Sequence, residues 1–476
     1  MSNNTQRKLI LFELNEVPWR VMNDFCTKFP ESFLAKNISK CTKFETVTPD
    51  EGELSPWITW PTLHRGVDNT KHGIKDFNQD LSFANTNYPS VWEILQQNGI
   101  KTGVCGSMHS SPPPNNYREY SFFIPDPFAT SKDAHPEYIE AFQDFNLQMS
   151  RESTRNVSSS LNLKAGTSVL MNAPKLGLRL STFMELGKQV LQERSKPWIK
   201  TRRRTYQMTL AFDVFMKQMK NTKPQFATFF TNHVASSMHR YWAATYPQDY
   251  KTFNIEKEWV ETYKNEIYFT MDMFSRFFKE TVDFVNKNPE YKIIVASSMG
   301  QASTTAEQID SQVYVEFPKT FMNKMGLTES DYTEVPSMFP QFNVRINAEK
   351  TDNFRNAVSK INIANHPLEF RESENGFFSL DFGQKNQGAG KMIYDGSETS
   401  FKEFGLYNMI IEDKSDSTAY HIPEGTLLIY DPQHAASNQK IEKIPSTALA
   451  ANILKNFNVN IPSYMKFEKI DGLSMN

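Results

Sequence analysis

The chain has 476 residues, 39% of them hydrophobic and 22% charged, which suits a globular protein with a large core. A formal net charge of −2 gives no overall electrostatic case for a nucleic-acid or membrane partner. Three widely spaced cysteines, Cys26, Cys41 and Cys105, argue against a disulfide framework, and no stretch approaches the roughly 18 apolar residues of a membrane span. With a polar start from Met1 to Lys8, the expectation is a cytoplasmic protein.

The first element, Lys8-Leu9-Ile10-Leu11-Phe12-Glu13-Leu14, is the short apolar run of a buried parallel strand. It breaks at Asn15-Glu16-Val17-Pro18, and a helical pattern follows from Trp19 to Phe29. Ligands of open α/β sheets bind outside the carboxyl ends of strands, so Asn15 and Glu16 are the first residues to watch. Val91 to Gln97 reads as helix and Lys101 to Gly106 as strand. Phe226 to Phe230 reads as a strand that ends in Thr231-Asn232-His233. One long amphipathic helix, roughly Trp259 to Asn286, leads into the strand Lys292 to Ala296 and then Ser297-Ser298-Met299-Gly300. Gly425 to Tyr430 is a further strand, followed by a terminal helix from Ser446 to Asn456.

This alternation predicts an α/β fold with a doubly wound, mostly parallel sheet flanked by helices. Two stretches depart from it. Residues 132–204 read as a helical cap, and residues 340–403 as a small α+β insertion. The core is then 1–131, 205–339 and 404–476.

Four segments, in order, resemble the phosphodiesterase/nucleotide-pyrophosphatase and sulfatase-like branch of the alkaline-phosphatase superfamily. They are Leu9 to Trp19; Ser55 to Gly66 with Lys71-His72-Gly73-Ile74; Asp272 feeding Val295 to Gly300; and His421-Ile422-Pro423-Glu424-Gly425. His233 and His239-Arg240 stand where that family has an Asp-x-x-x-His pair, although the Asp position falls nearer Ala235. The resemblance implies two metal ions, usually zinc, and a Thr or Ser nucleophile for a phosphoryl or sulfuryl group.

The departures bear on the metals. Asn15 replaces a ligating Asp, and Ser298 and Met299 replace an Asp-His pair; an amide, a hydroxyl and a thioether are poor zinc ligands beside carboxylate and imidazole. One site therefore reads as dismantled. The other is expected to hold one divalent ion, zinc, on His233, His239 and His421, with Asn232 or Glu16 available as an oxygen ligand.

Thr59 is the candidate nucleophile, with Thr62 and Ser55 as alternatives, and Glu16 a candidate base or ligand. Asn15, Thr62, Ser298 and Arg240 are candidates for substrate binding. Arg202-Arg203-Arg204, with Lys196 and Lys200, is either an anion clamp or a solvated helix face. Two functions follow. One is a hydrolase or transferase for a phosphate, phosphonate or sulfate ester with a single-metal site. The other is a non-catalytic relative that binds an anionic sugar or nucleotide. Either way the partner is a small anion.

Overall fold

The computed structural model describes residues 7–76, 79–152, 156, 163–335, 337, 340–388, 390–436 and 440–473. Parts of the polar start (1–6) and of the expected cap (153–155 and 157–162) lie outside them. The chain divides into two compact units, one of residues 1–147, 162–306 and 417–476, the other of 148–161 and 307–416.

The first unit is built on an eight-stranded sheet. Its strands are β1 (Lys8–Leu14), β2 (Thr42–Val47), β3 (Thr102–Cys105), β4 (Phe122–Ile124), β5 (Phe226–Thr231), β6 (Tyr291–Ala296), β9 (Glu424–Tyr430) and β10 (Glu442–Pro445); β7 (Gly300–Ser303) and β8 (Ala419–Ile422) pair separately. The order across the sheet is β10-β2-β9-β6-β1-β5-β3-β4. Only β9 runs antiparallel to its neighbours β2 and β6; the other five pairings are parallel. A mostly parallel sheet needs cover on both faces, and the sequence of β1 supplies it. Ile10, Phe12 and Leu14 enter one core and Leu9 and Leu11 the other. Phe12 meets Phe229 and Phe274 edge-on at 5.3 and 5.5 Å. Truncating it to Ala should cost about 3–5 kcal/mol.

The helices that matter below are α1 (Trp19–Lys28), α2 (Pro56–Arg65), α3 (Val91–Gln97), α4 (Leu163–Leu176), α5 (Leu180–Glu193), α6 (Arg203–Thr222), α7 (His233–Thr245), α8 (Lys257–Tyr263), α9 (Glu266–Lys287) and α10 (Ala448–Asn456). The long helix expected over Trp259 to Asn286 is two helices, α8 and α9, broken at Lys264-Asn265. Tyr263 stacks on Tyr241 at 4.9 Å, so the short first half is held to α7, while the apolar stripe of α9 is buried along its own length.

The second unit carries two four-stranded antiparallel sheets. One orders Tyr332–Val335, Gln341–Ile346, Phe377–Asp381 and Glu369–Ser373; the other orders His366–Pro367, Ile361–Ile363, Lys391–Tyr394 and Ser397–Ser400. It has a core of its own around Phe321, Phe354 and Phe378.

Candidate active site

Three parallel strands end side by side. After β1 come Asn15 and Glu16, after β5 Asn232, and after β6 Ser297 and Ser298. The turn after β1 is tight enough to put Glu16 at φ 60°, a left-handed conformation that costs a non-glycine residue roughly 1–2 kcal/mol. That turn sends the Glu16 carboxylate back over the strand ends, where it is 2% exposed. A strained, buried acid at a strand end is a feature of functional sites.

Two histidines from distant elements meet this acid. His239 Nε2, from the second turn of α7, lies 3.0 Å from Glu16 Oε2, and His421 Nε2, from β8, lies 3.4 Å from the same oxygen. Each ring is fixed from behind. His239 Nδ1–H donates to the Ala419 carbonyl at 2.8 Å, and His421 Nδ1–H to the Leu54 carbonyl at 2.6 Å. A carbonyl can only accept, so Nδ1 of both rings carries a proton and Nε2 faces the carboxylate.

The carboxylate is held as well. Asn15 Nδ2 donates to Glu16 Oε1 at 2.7 Å and to Asn232 Oδ1 at 2.8 Å. Gln301 Nε2 donates to Glu16 Oε2 and to the Ala235 carbonyl. Gln301 reaches the site because β7 pairs antiparallel with β8, which sets it opposite His421. The preceding Gly300 makes room: a Cβ there would come within 2.1 Å of the Glu424 carbonyl. Burial pushes the Glu16 carboxyl up, yet His421 and His239 more than offset this and hold it well below the usual carboxylate range. Burial lowers His421, but Glu16 outweighs it and raises the imidazole above its ordinary value.

The donor set fits a divalent ion. A carboxylate oxygen and two imidazole nitrogens all lie within 4.8 Å of one another. Tetrahedral zinc sets neighbouring ligand atoms about 3.3 Å apart, close to the two separations from Glu16. Histidine rings anchored through the other nitrogen are the usual support for such a site.

His233 does not join this group; Glu16 takes the place expected for it. Six residues along an α-helix is a rotation of about 600°, so His233 and His239 leave α7 on different faces. The His233 ring instead meets Phe277 edge-on at 5.6 Å and hydrogen-bonds Thr231 Oγ1 through Nδ1, and burial pushes its pKa down to about 3. Arg240 also leaves on that side. With His233, Arg202, Arg204, Ser237 and Glu266 it lines a small recess that is not lined by Glu16, His239 or His421. The arginine run is not one clamp: Arg202 pairs with Glu266 and Arg203 with Glu193.

Thr59 is fully buried in α2, with Oγ1 2.8 Å from Ser298 Oγ. Asn15 Oδ1 accepts from Trp60 Nε1 at 2.7 Å. Asn15, Ser298 and the buried Met299 offer no anionic oxygen or imidazole, so they do not fit a second ion. Thr62 is tied into a separate chain, donating to Asp50 Oδ1 at 2.6 Å and meeting His72 Nε2 at 2.9 Å. Ser55, the N-cap of α2, follows the Leu54 carbonyl that anchors His421, and its buried hydroxyl has no hydrogen-bond partner. Sequence reading missed Gln301, which carries no charge and no motif.

No family model matches the chain, and no curated protein matches it. Some solved structures show a low overall likeness to it. Murine and human ectonucleotide pyrophosphatase/phosphodiesterase 5 are each 10% identical at a TM-score of 0.40, over 95% of this chain and 96% of theirs. Phosphonoacetate hydrolase from Sinorhizobium meliloti 1021, in complex with phosphonoformate, is 10% identical at a TM-score of 0.39, over 94% of each chain.

Proposed function

We propose that the chain is a hydrolase or transferase for a phosphate, phosphonate or sulfate ester, working with one divalent ion, zinc by its donor set, on Glu16, His239 and His421. The observation that carries this reading is the convergence of both Nε2 atoms on one oxygen of a buried, strained glutamate. When bound, the ion supplies a Lewis acid that takes up charge on an ester oxygen.

The chain's own residues do the rest. The Ala419 and Leu54 carbonyls set the two rings, and Asn15 and Gln301 set the carboxylate, so the donors are arranged before any ligand arrives. Thr59 is the hydroxyl that the family resemblance assigns to attack, with Ser298 orienting it; Ser55 is the alternative. Three free thiols fit a cytoplasmic setting.

A second reading, a relative that binds an anionic sugar or nucleotide without turnover, is favoured by one observation. The Thr59 side chain is fully buried, and its hydroxyl is hydrogen-bonded to another neutral hydroxyl, that of Ser298, rather than to a base. Zinc-loaded protein assayed on chromogenic phosphodiester, phosphonate-ester and sulfate-ester substrates separates the two. Turnover abolished by Glu16→Gln supports the enzyme; a zinc-bound protein inert on all three supports the binding protein.

A further inference from the structure

The helix α5 carries apolar side chains on two sides: Phe183 and Leu186 pack against the core, and a second set faces outward. An amphipathic surface helix turns its apolar side inward. Beside Phe183 and Leu186, the fully buried side chains of α5 are Thr182 and Gln189, both satisfied inside: Thr182 Oγ1 donates to Asp213 at 2.7 Å and Gln189 Nε2 to the Ile199 carbonyl at 2.7 Å. Its outer side carries Leu180, Met184 and Leu191, which are 76%, 66% and 62% exposed. Positions 180, 184 and 191 fall within about 40° of one another around a helix, so they form a single stripe opposite the buried pair. The loop Gly177–Arg179 joins α5 to α4, which exposes Leu170 and Met171 as well.

The charges around the stripe have one sign. Between residues 166 and 196 the exposed charged side chains are Lys175, Lys188, Arg194 and Lys196. The two acids in that span, Glu185 and Glu193, are half-buried and ion-paired with Arg276 and Arg203. The net charge of the whole chain hides this local excess.

We infer that the outer face of α5 docks on an anionic membrane surface, with the stripe entering the interface and the lysines meeting lipid headgroups. An exposed apolar stripe beside basic side chains is the pattern of a helix that lies in the interface. No described helix is long and apolar enough to cross a membrane, so the mode is peripheral. A second copy is the weaker fit, because a symmetric pair would bring two basic rims together. This inference is independent of the proposed metal site.

The test uses the full chain with vesicles of phosphatidylcholine alone and of phosphatidylcholine mixed with phosphatidylglycerol, read by co-sedimentation. Binding to the anionic vesicles alone, weakened by salt, is expected. Met184→Gln with Leu191→Gln should reduce it about tenfold per side chain or more, at unchanged thermal stability, because both positions are exposed. Lys188→Glu with Lys196→Glu should abolish the preference for anionic lipid. Light scattering supplies the other arm: a dimer that the Gln pair dissociates, with no vesicle binding, overturns the proposal in favour of a second copy. A monomer that ignores both kinds of vesicle overturns it outright.

Discussion

The Thr59 hydroxyl lies 2.8 Å from that of Ser298, and both side chains are fully buried. The pair brings together two segments that are remote in sequence, at positions where the family resemblance expects a nucleophile and a metal ligand. If Thr59 attacks the ester, Thr59→Ala should abolish turnover while leaving bound zinc unchanged, and Thr59→Ser should retain activity. Ser55→Ala is the control for the alternative hydroxyl; if that variant alone is inactive, the role belongs to Ser55.

Glu13 and His64 form a buried hydrogen bond, with Oε1 2.7 Å from Nε2 and the ring packed against Trp60 and Trp92. Removing one partner leaves the other group unsatisfied in the core, which costs about 1–3 kcal/mol. Denaturant unfolding of His64→Leu should show a loss of that size. The double variant with Glu13→Leu should recover part of it, since no buried polar group is then left without its partner.

His72 should make the fold acid-sensitive. Its Nδ1 accepts from the Ile74 N–H at 3.0 Å and its Nε2–H faces Thr62, so both nitrogens are engaged only while the ring is neutral. Burial pushes its pKa down to about 3 from an ordinary 6.5. Below 6.5 the unfolded chain takes up a proton that the folded one refuses. The contribution is therefore complete above pH 6.5 and is lost as pH falls from 6.5 toward 3. His72→Gln should flatten the fall of the melting temperature across that window. Only part of the slope should go, because His109 and His233, pushed down to about 4 and about 3, act in the same direction.

Gly300 holds β7 against the chain at Glu424 with no space for a Cβ. Gly300→Ala must shift one of the two, and overpacking of this kind costs about 1–3 kcal/mol. The same shift moves Gln301 off Glu16. Lower stability together with weaker zinc binding is expected, and lower stability with unchanged zinc affinity would show that Gln301 has no part in the site.

Local patterns carried most of the central sheet. Lys8–Leu14 is an apolar run that only a strand covered on both faces can bury, and the polar break at Asn15-Glu16 marked where the site would lie. What linear patterns could not carry was direction. His233 and His239 look equivalent as letters, but a helix starting at His233 turns them apart. Glu16 could be weighed as a ligand, yet nothing in a run of residues reveals its positive φ or the side to which its carboxylate turns. Gln301 became part of the site through a strand pairing with residues more than a hundred positions away, and the carbonyls that orient the two histidines come from equally remote segments.

The central claim is that Glu16, His239 and His421 hold one divalent ion, and elemental analysis tests it most directly. Protein stripped with chelator, reloaded with zinc and dialysed should retain about one ion per chain, as a three-ligand site implies. Glu16→Gln and His421→Ala should each lose it with the fold intact, whereas His233→Ala should keep it. Zinc retained at the same level in Glu16→Gln, or lost only in His233→Ala, would contradict the account.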